Sequence, residues 1–244
     1  AKKATESLTS PNTTMPFGQH FTTRQNGTAR LLLLGAGSSH DFPKFFLGQD
    51  AATLKATGRY DVVASPNLTE ALALLPTADL LVFSGNHAQY GTPEFQAALN
   101  AFADAGKGIV IVHAGTWYNW SPDTHYNDRF VAGGARGHGH SEFEVTVKQA
   151  EHPIMKGVPG TFKIMDESYQ LVLAHPETVE VLATLPGPAL KGQPGPTQTY
   201  PTVWIVKDSK TRIVNITLGH AIEAHSNPAY QKILLNALEW VSQK

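Results

Sequence analysis

The sequence predicts an α/β fold, a doubly wound and mostly parallel sheet with added antiparallel strands, and three observations carry that prediction. Apolar and helical stretches alternate in a regular β-α-β-α-β-α-β rhythm between Arg30 and His113. The runs LLVF at 80–83 and GIVIV at 108–112 are apolar without period-two alternation, as strands become when helices cover both faces. After Gly115 the strand-like segments are short or alternating and are separated by turn residues, which reads as added, partly antiparallel strands.

In chain order, residues 1–29 are polar and read as an exposed N-terminal segment, and residues 30–244 as a single domain. Strands are expected at 31–35 and 60–64, with a helix at 43–56 between them. A second helix is expected to start at Thr69, whose hydroxyl can cap the first-turn N–H groups, and to run through Leu75. A strand at 79–84 follows. Thr92-Pro93-Glu94 then opens a helix with Pro at its first position, and 108–113 is the fourth strand. Further strands are expected at 142–147, 162–164, 179–185 and 202–206, and the Gly- and Pro-dense run 191–201 suits a surface loop. A strand at 212–218 and a helix at 228–241 complete the first pattern. That helix is amphipathic, with Tyr230, Ile233, Leu234, Ala237, Leu238 and Val241 at three- and four-residue spacing.

Composition excludes several classes. The 244 residues are 41% apolar with a formal charge of −1, so they leave no basic footprint for nucleic acid. No apolar run approaches the roughly 20 residues that a bilayer demands, and no membrane partner is expected. With no cysteine there is no disulfide, no thiolate nucleophile and no cysteine-ligated metal. The chain opens at Ala1 rather than at a methionine, which fits an exported, matured form and equally a cytoplasmic one.

Open α/β sheets bind ligands beyond the carboxyl ends of their strands, so the residues just past each strand are where chemistry is sought. Histidine recurs there, as His40 in GAGSSHD, His87 after Gly85-Asn86, His113 in HAGTW and His220 after Gly219. GAGSSHD has His40 where a dinucleotide loop needs its third Gly, and no Lys-Ser/Thr pair makes a phosphate loop. Gly35 and Gly37 are therefore expected to serve a tight turn, without a nucleotide cofactor. The strand GKGIVIVHAGT displays His113 where many α/β enzymes display a nucleophile. The late segment ITLGHAIEAH carries His220 and Glu223. This framework is similar to that of class I glutamine amidotransferases, in which Cys stands at the position of His113 and a His and a Glu follow a late strand. Without Cys, and without a GxSxG elbow, what remains is acid/base, metal or binding work by imidazoles and carboxylates.

Asp166 and Glu167 are neighbours and in a strand point to opposite faces, so Glu167 is expected to face the cleft and Asp166 to serve a turn or a supporting role. His138, His140, Glu142 and Glu144 share a strand face, with Gly137 and Gly139 expected to hold the two histidines in a turn before the strand proper. Such a pair can chelate a divalent ion, zinc favouring His with a carboxylate, and His113, His140 and His220 are the expected metal ligands. Trp117, Tyr118 and Trp120 offer flat faces for sugar rings or, equally, pack beneath their loop; Asn86, His87 and Tyr90 can bond hydroxyls.

The motifs SHDF at 39–42, the strand ending in His113, GHGH at 137–140, HPIMKGV at 152–158, DESY at 166–169 and LGH at 218–220 together resemble the ThuA-like, or trehalose-utilisation, family over residues 30–243. The chain departs from that pattern at the third residue of DESY, where a large apolar residue is more frequent, and at 226–228, which often carries additional His. The resemblance implies a flavodoxin-like, class I glutamine-amidotransferase-like fold without the catalytic Cys, and a link to disaccharides such as trehalose or 3-keto-glycosides. Read together, the residues give a sugar-directed protein with His113, His220 and Glu167 in proton transfer and His40, Asn86, His87, Trp117, His140 and Tyr169 around the substrate. A zinc-dependent hydrolase and a non-catalytic carbohydrate-binding module are the alternatives. The expected partner is a small carbohydrate, with a homo-oligomer left open and a divalent metal the one cofactor considered.

Overall fold

The structure is a computed structural model that describes residues 20–25 and 27–243. Most of the expected N-terminal segment lies outside the described residues. Its tail packs on the sheet edge, where Thr22 donates to Asp61 and Arg24 pairs with Asp79 at 2.9 Å.

Among the described residues, one nine-stranded sheet runs in the order β2 (Tyr60–Ser65), β1 (Ala29–Leu34), β3 (Leu80–Phe83), β4 (Gly108–Val112), β9 (Arg212–Ile216), β8 (Thr197–Lys207), β7 (Val179–Pro188), β5 (Gly133–Val147), β6 (Thr161–Leu173). From β2 to β9 the strands are parallel; from β9 to β6 each neighbour is antiparallel. The first part is doubly wound, and its order reverses at β1, which makes the carboxyl ends of β1 and β3 the natural crevice.

All of Leu31, Leu32, Leu33 and Leu34 are fully buried because alternate residues serve two cores. Leu31 and Leu33 join Val110, Val214 and the helices α1 (Ala51–Lys55) and α5 (Pro228–Ser242) on one face. Leu32 and Leu34 join Phe83, Ile109 and the helices α2 (Leu68–Leu74) and α3 (Pro93–Asp104) on the other. Each such leucine contributes roughly 1.5–3 kcal/mol by leaving water, which is why the run tolerates no polar alternate.

Helix starts follow from caps. Thr92 accepts from the N–H of Phe95 ahead of Pro93, and Asn227 accepts from Ala229 and Tyr230 ahead of Pro228. At α2 the cap is Asn67 rather than the expected Thr69: Asn67 has extended backbone and accepts from the N–H of Glu70, which starts the helix at Leu68.

The antiparallel part differs more. β5 begins at Gly133, so His138 and His140 stand within the strand and not in a turn before it. Only 191–196 of the expected 191–201 loop is a turn, since Thr197 to Pro201 pair with β7 and Tyr200 donates to the Pro188 carbonyl at 2.7 Å. Gly35 and Gly37 do not take left-handed backbone either. Gly37 is needed for close approach, because a side chain there would run into the Asn86 amide.

Candidate active site

The chain delivers side chains to one crevice from both parts of the sheet. His40 follows β1, Asn86 follows β3, His113 follows β4 and His220 follows β9. β5 and β6 form a long antiparallel ribbon whose register sets His138 opposite Tyr169 and His140 opposite Glu167, so these four share a face. Glu167 is the hub. Its Oε2 lies 3.3 Å from His113 Nε2, 3.3 Å from His220 Nδ1 and 4.0 Å from His40 Nε2, while Oε1 lies 3.4 Å from His138 Nδ1.

His113 is held in a demanding conformation. Its φ of 43° is left-handed, a region that a residue with a Cβ occupies at a cost of about 1–3 kcal/mol, and it opens a one-turn helix, His113–Thr116. Contacts around it fix the ring. Nδ1 lies 2.6 Å from the Thr217 carbonyl, and Thr116 Oγ1 donates to the carbonyl of His113 itself. A carbonyl only accepts, so Nδ1 carries a proton there and Nε2 is the nitrogen turned to the crevice.

Asp166 and Glu167 divide the work that their alternation allows. Asp166 accepts from the N–H groups of Gly219 at 2.8 Å, His220 at 3.0 Å and Glu167 at 2.9 Å, and so ties the turn carrying His220 to β6. Glu167 points into the crevice. Burial works to raise its pKa, but the flanking His113 and His220 rings reverse that and hold the carboxyl well below the usual carboxylate range. In return the Glu167 carboxylate raises His220 against the effect of burial. His40 is pushed down to about 3 by burial and by the neighbouring His113 and His220, so it is a neutral imidazole.

Beneath the turn lies a second ionic group, Asp50, His225 and Tyr230, all buried. His225 closes the short helix α4 (Ile222–His225). Its ring meets Asp50 Oδ1 at 2.7 Å and the Gly219 carbonyl at 2.9 Å, and Tyr230 donates to Asp50 Oδ2. Both ring nitrogens therefore face acceptors. With an acceptor at each nitrogen the ring carries both protons, and the Asp50 charge raises its pKa against the lowering effect of burial.

A cleft of about 450 Å³ opens over the hub, within the range of small-molecule sites. Its polar wall is Ser39, His40, Asn86, Asn119, His138 and Glu167, and its aromatic wall Trp117, Tyr118 and Tyr169. Tyr169 stacks on His113 at 4.3 Å between centroids, and Trp117 meets Tyr169 edge-on at 5.2 Å.

Of the residues expected from sequence, the structure brings His113, His220, Glu167 and His40 together and sets Asn86, Trp117 and Tyr169 on the cleft wall. His87 is not on it. Its ring accepts from the N–H of Gln89 and caps the turn Ala88–Gly91. His140 lies one pleat farther along β5, exposed, with its ring edge-on to His220 at 5.5 Å. The expected ligand trio His113, His140 and His220 is therefore not what converges: His40 and Glu167 stand with His113 and His220 instead. Tyr90 is fully buried and donates to the Pro66 carbonyl, Trp120 packs against Phe83 and Tyr126, and Glu223 is exposed on α4. Ser39 and Asn119 line the cleft without having been expected there, and they are joined by His138, expected as half of a chelating pair, and Tyr118, expected as a flat face for a sugar ring. The same-face spacing of His138 and His140 was a signal for His138, and the choice between the two required the register with β6.

The sequence matches the family described as ThuA, trehalose utilisation, over residues 44–241. The chain belongs to the ThuA family. No curated protein matches it. Among solved structures, this ThuA-family chain is similar to a ThuA-like protein from Parabacteroides merdae ATCC 43184, with a TM-score of 0.70 at 20% identity over 88% of this chain and 90% of that one. A ThuA-like protein from Bacteroides uniformis ATCC 8492 is similar to the same degree, TM-score 0.70 at 20% identity, over 91% and 95% of the two chains. The glutaminase domain of CTPS from Trypanosoma brucei shares the fold more distantly, TM-score 0.51 at 11% identity over 87% and 94%. The amidotransferase-like fold and the trehalose-related family thus agree with what the motifs implied. Among the described residues no helix is long and apolar enough to cross a membrane.

Proposed function

We propose that this ThuA-family protein is an enzyme acting on a keto-derivative of trehalose or a similar disaccharide, by proton transfer next to the carbonyl. In a 3-keto-glycoside the C2–H bond lies beside the ketone and the glycosidic C1–O bond lies one carbon farther. A base removes the C2 proton to give an enolate. Its electron pair forms the C1–C2 double bond and expels the glycosidic oxygen, which takes up a proton to leave as a free sugar.

The observation that carries this reading is the single carboxylate, Glu167, ringed by imidazoles at the strand ends and open to a cleft with one polar and one aromatic wall. His113 and His220 keep Glu167 ionised, and His138, side chain 44% exposed on its free oxygen, is placed to carry protons between carboxylate and sugar. Trp117 and Tyr118 offer ring faces to a pyranose, and Asn86 and Asn119 offer amides to its hydroxyls.

Incubating the purified protein with 3-keto-trehalose and following free glucose by NMR tests this. Turnover is expected, reduced about 10²–10⁴-fold by Glu167→Gln, with Trp117→Ala acting mainly on KM. Absence of turnover overturns the proposal. Sugar binding that depends on Trp117 while Glu167→Gln changes nothing points instead to a non-catalytic binding module.

A further inference from the structure

We propose that His40, His113, Glu167 and His220 hold a divalent transition-metal ion of the zinc type at the base of the cleft. The inference deepens the reading above, since it rests on that cluster being the reactive centre.

The donor atoms are already gathered: one from each of the four residues, all within 4.8 Å of one another. Four ligands at about 2.0–2.1 Å around a tetrahedral ion stand about 3.3–3.4 Å apart, and two of the observed spacings to Glu167 Oε2 are 3.3 Å. The polar accounts of these residues are also open. Among the described residues, seven buried side-chain polar atoms have no hydrogen-bond partner, and four of them are His40 Nδ1, His40 Nε2, His113 Nε2 and His220 Nδ1. A buried polar atom without a partner is costly, and one ion at the cluster would serve three of these four, one from each histidine.

His113 turns one donor atom to that partner. Its Nδ1 is engaged by the Thr217 carbonyl at 2.6 Å, which leaves Nε2, 3.3 Å from Glu167 Oε2, as the nitrogen that faces the cluster. An imidazole whose other nitrogen donates to a backbone carbonyl is the arrangement that orients metal-bound histidines. Asp166, bonded to the N–H of His220, steadies the fourth ligand's backbone.

The donor set narrows the ion. Three imidazoles and one carboxylate, with no thiolate in the chain, favour zinc, iron or manganese over calcium or magnesium, which prefer all-oxygen shells. Because His40 and Glu167 also line the cleft, the ion would face it and polarise a carbonyl or hydroxyl oxygen of the sugar. His138, on the other carboxylate oxygen, stays free for the proton.

The test uses the full chain, stripped by chelator and titrated with zinc in a calorimeter and with cobalt(II) in a visible spectrometer. One ion per chain is expected, with the intense visible bands of four-coordinate cobalt. His40→Ala and His220→Ala should each weaken binding about 100-fold or more, and His140→Ala should leave it within about twofold. His113→Gln, with its fold checked by circular dichroism, gives an independent third ligand test. Failure of the wild-type chain to bind a stoichiometric ion, or equal weakening by His140→Ala, overturns the site. Stoichiometric binding without turnover of 3-keto-trehalose overturns the substrate reading and leaves the metal site standing.

Discussion

His225 is a charge held where water cannot reach it, and its neutralisation depends on one carboxylate. Asp50, fully buried, meets one ring nitrogen, and Gly219 the other. Replacing Asp50 by Ala leaves the imidazolium without its counter-charge, and a loss of about 3–5 kcal/mol is expected in urea unfolding. An unchanged midpoint would show that the pair is solvated. At this scale the strand-end histidines were legible because position marks them: His40, His113 and His220 each follow an apolar run, as does His87, which the cleft does not use, while strand alternation put Asp166 and Glu167 on opposite faces without saying which one faces the cleft. The Asp50–His225 pair was not, because its partners are 175 residues apart and meet only through the packing of α4 on the turn before α1.

Turns and strands carry the next level of the argument. Gly219 has φ of 127°, and a Cβ there would meet Val112 at 3.3 Å and His113 at 3.5 Å. Gly219→Ala therefore asks an L side chain to adopt backbone it rarely takes, beside the residue that supports the cluster. A loss of about 1–3 kcal/mol is expected in thermal or urea unfolding, together with weakened activity from a displaced His220. Full activity in a stable variant would contradict it. The parallel strands could be read from the sequence because burial on both faces leaves an uninterrupted apolar run. The first half of β5 could not, since GGARGHG has the composition of a loop and becomes a strand only through its partner β6. The same gap left His138 indistinguishable from His140 until the register set it opposite Tyr169.

Across the whole molecule, Arg129 ties the segment before β5 to both α3 and the turn after β8, bonding Asn100 at 2.6 Å, Asp104 at 2.7 Å and Asp208 at 3.1 Å. Burial works to raise the pKa of Asp208, but the N–H of Lys210 and the Arg129 guanidinium hold it below its ordinary value. A carboxyl lowered on folding stabilises the native state above its unfolded pKa, about 3.9, and that contribution fades as pH falls through the lower native value. Asp208→Asn should accordingly be less stable than the wild type at about pH 7, with the gap narrowing as pH falls below the unfolded value of about 3.9. A gap that persists in acid would assign the effect to packing.

The provenance of the hub has its own consequence. His40, His113 and His220 sit on loops of the parallel strands, whereas Glu167 hangs from the ribbon that the chain builds between them. Neither portion alone carries the proposed centre, so a piece that stops short of Gly219 is expected to lack the proposed activity. Under the proposed function, turnover is expected only once the last strand has docked and set His220 beside Glu167.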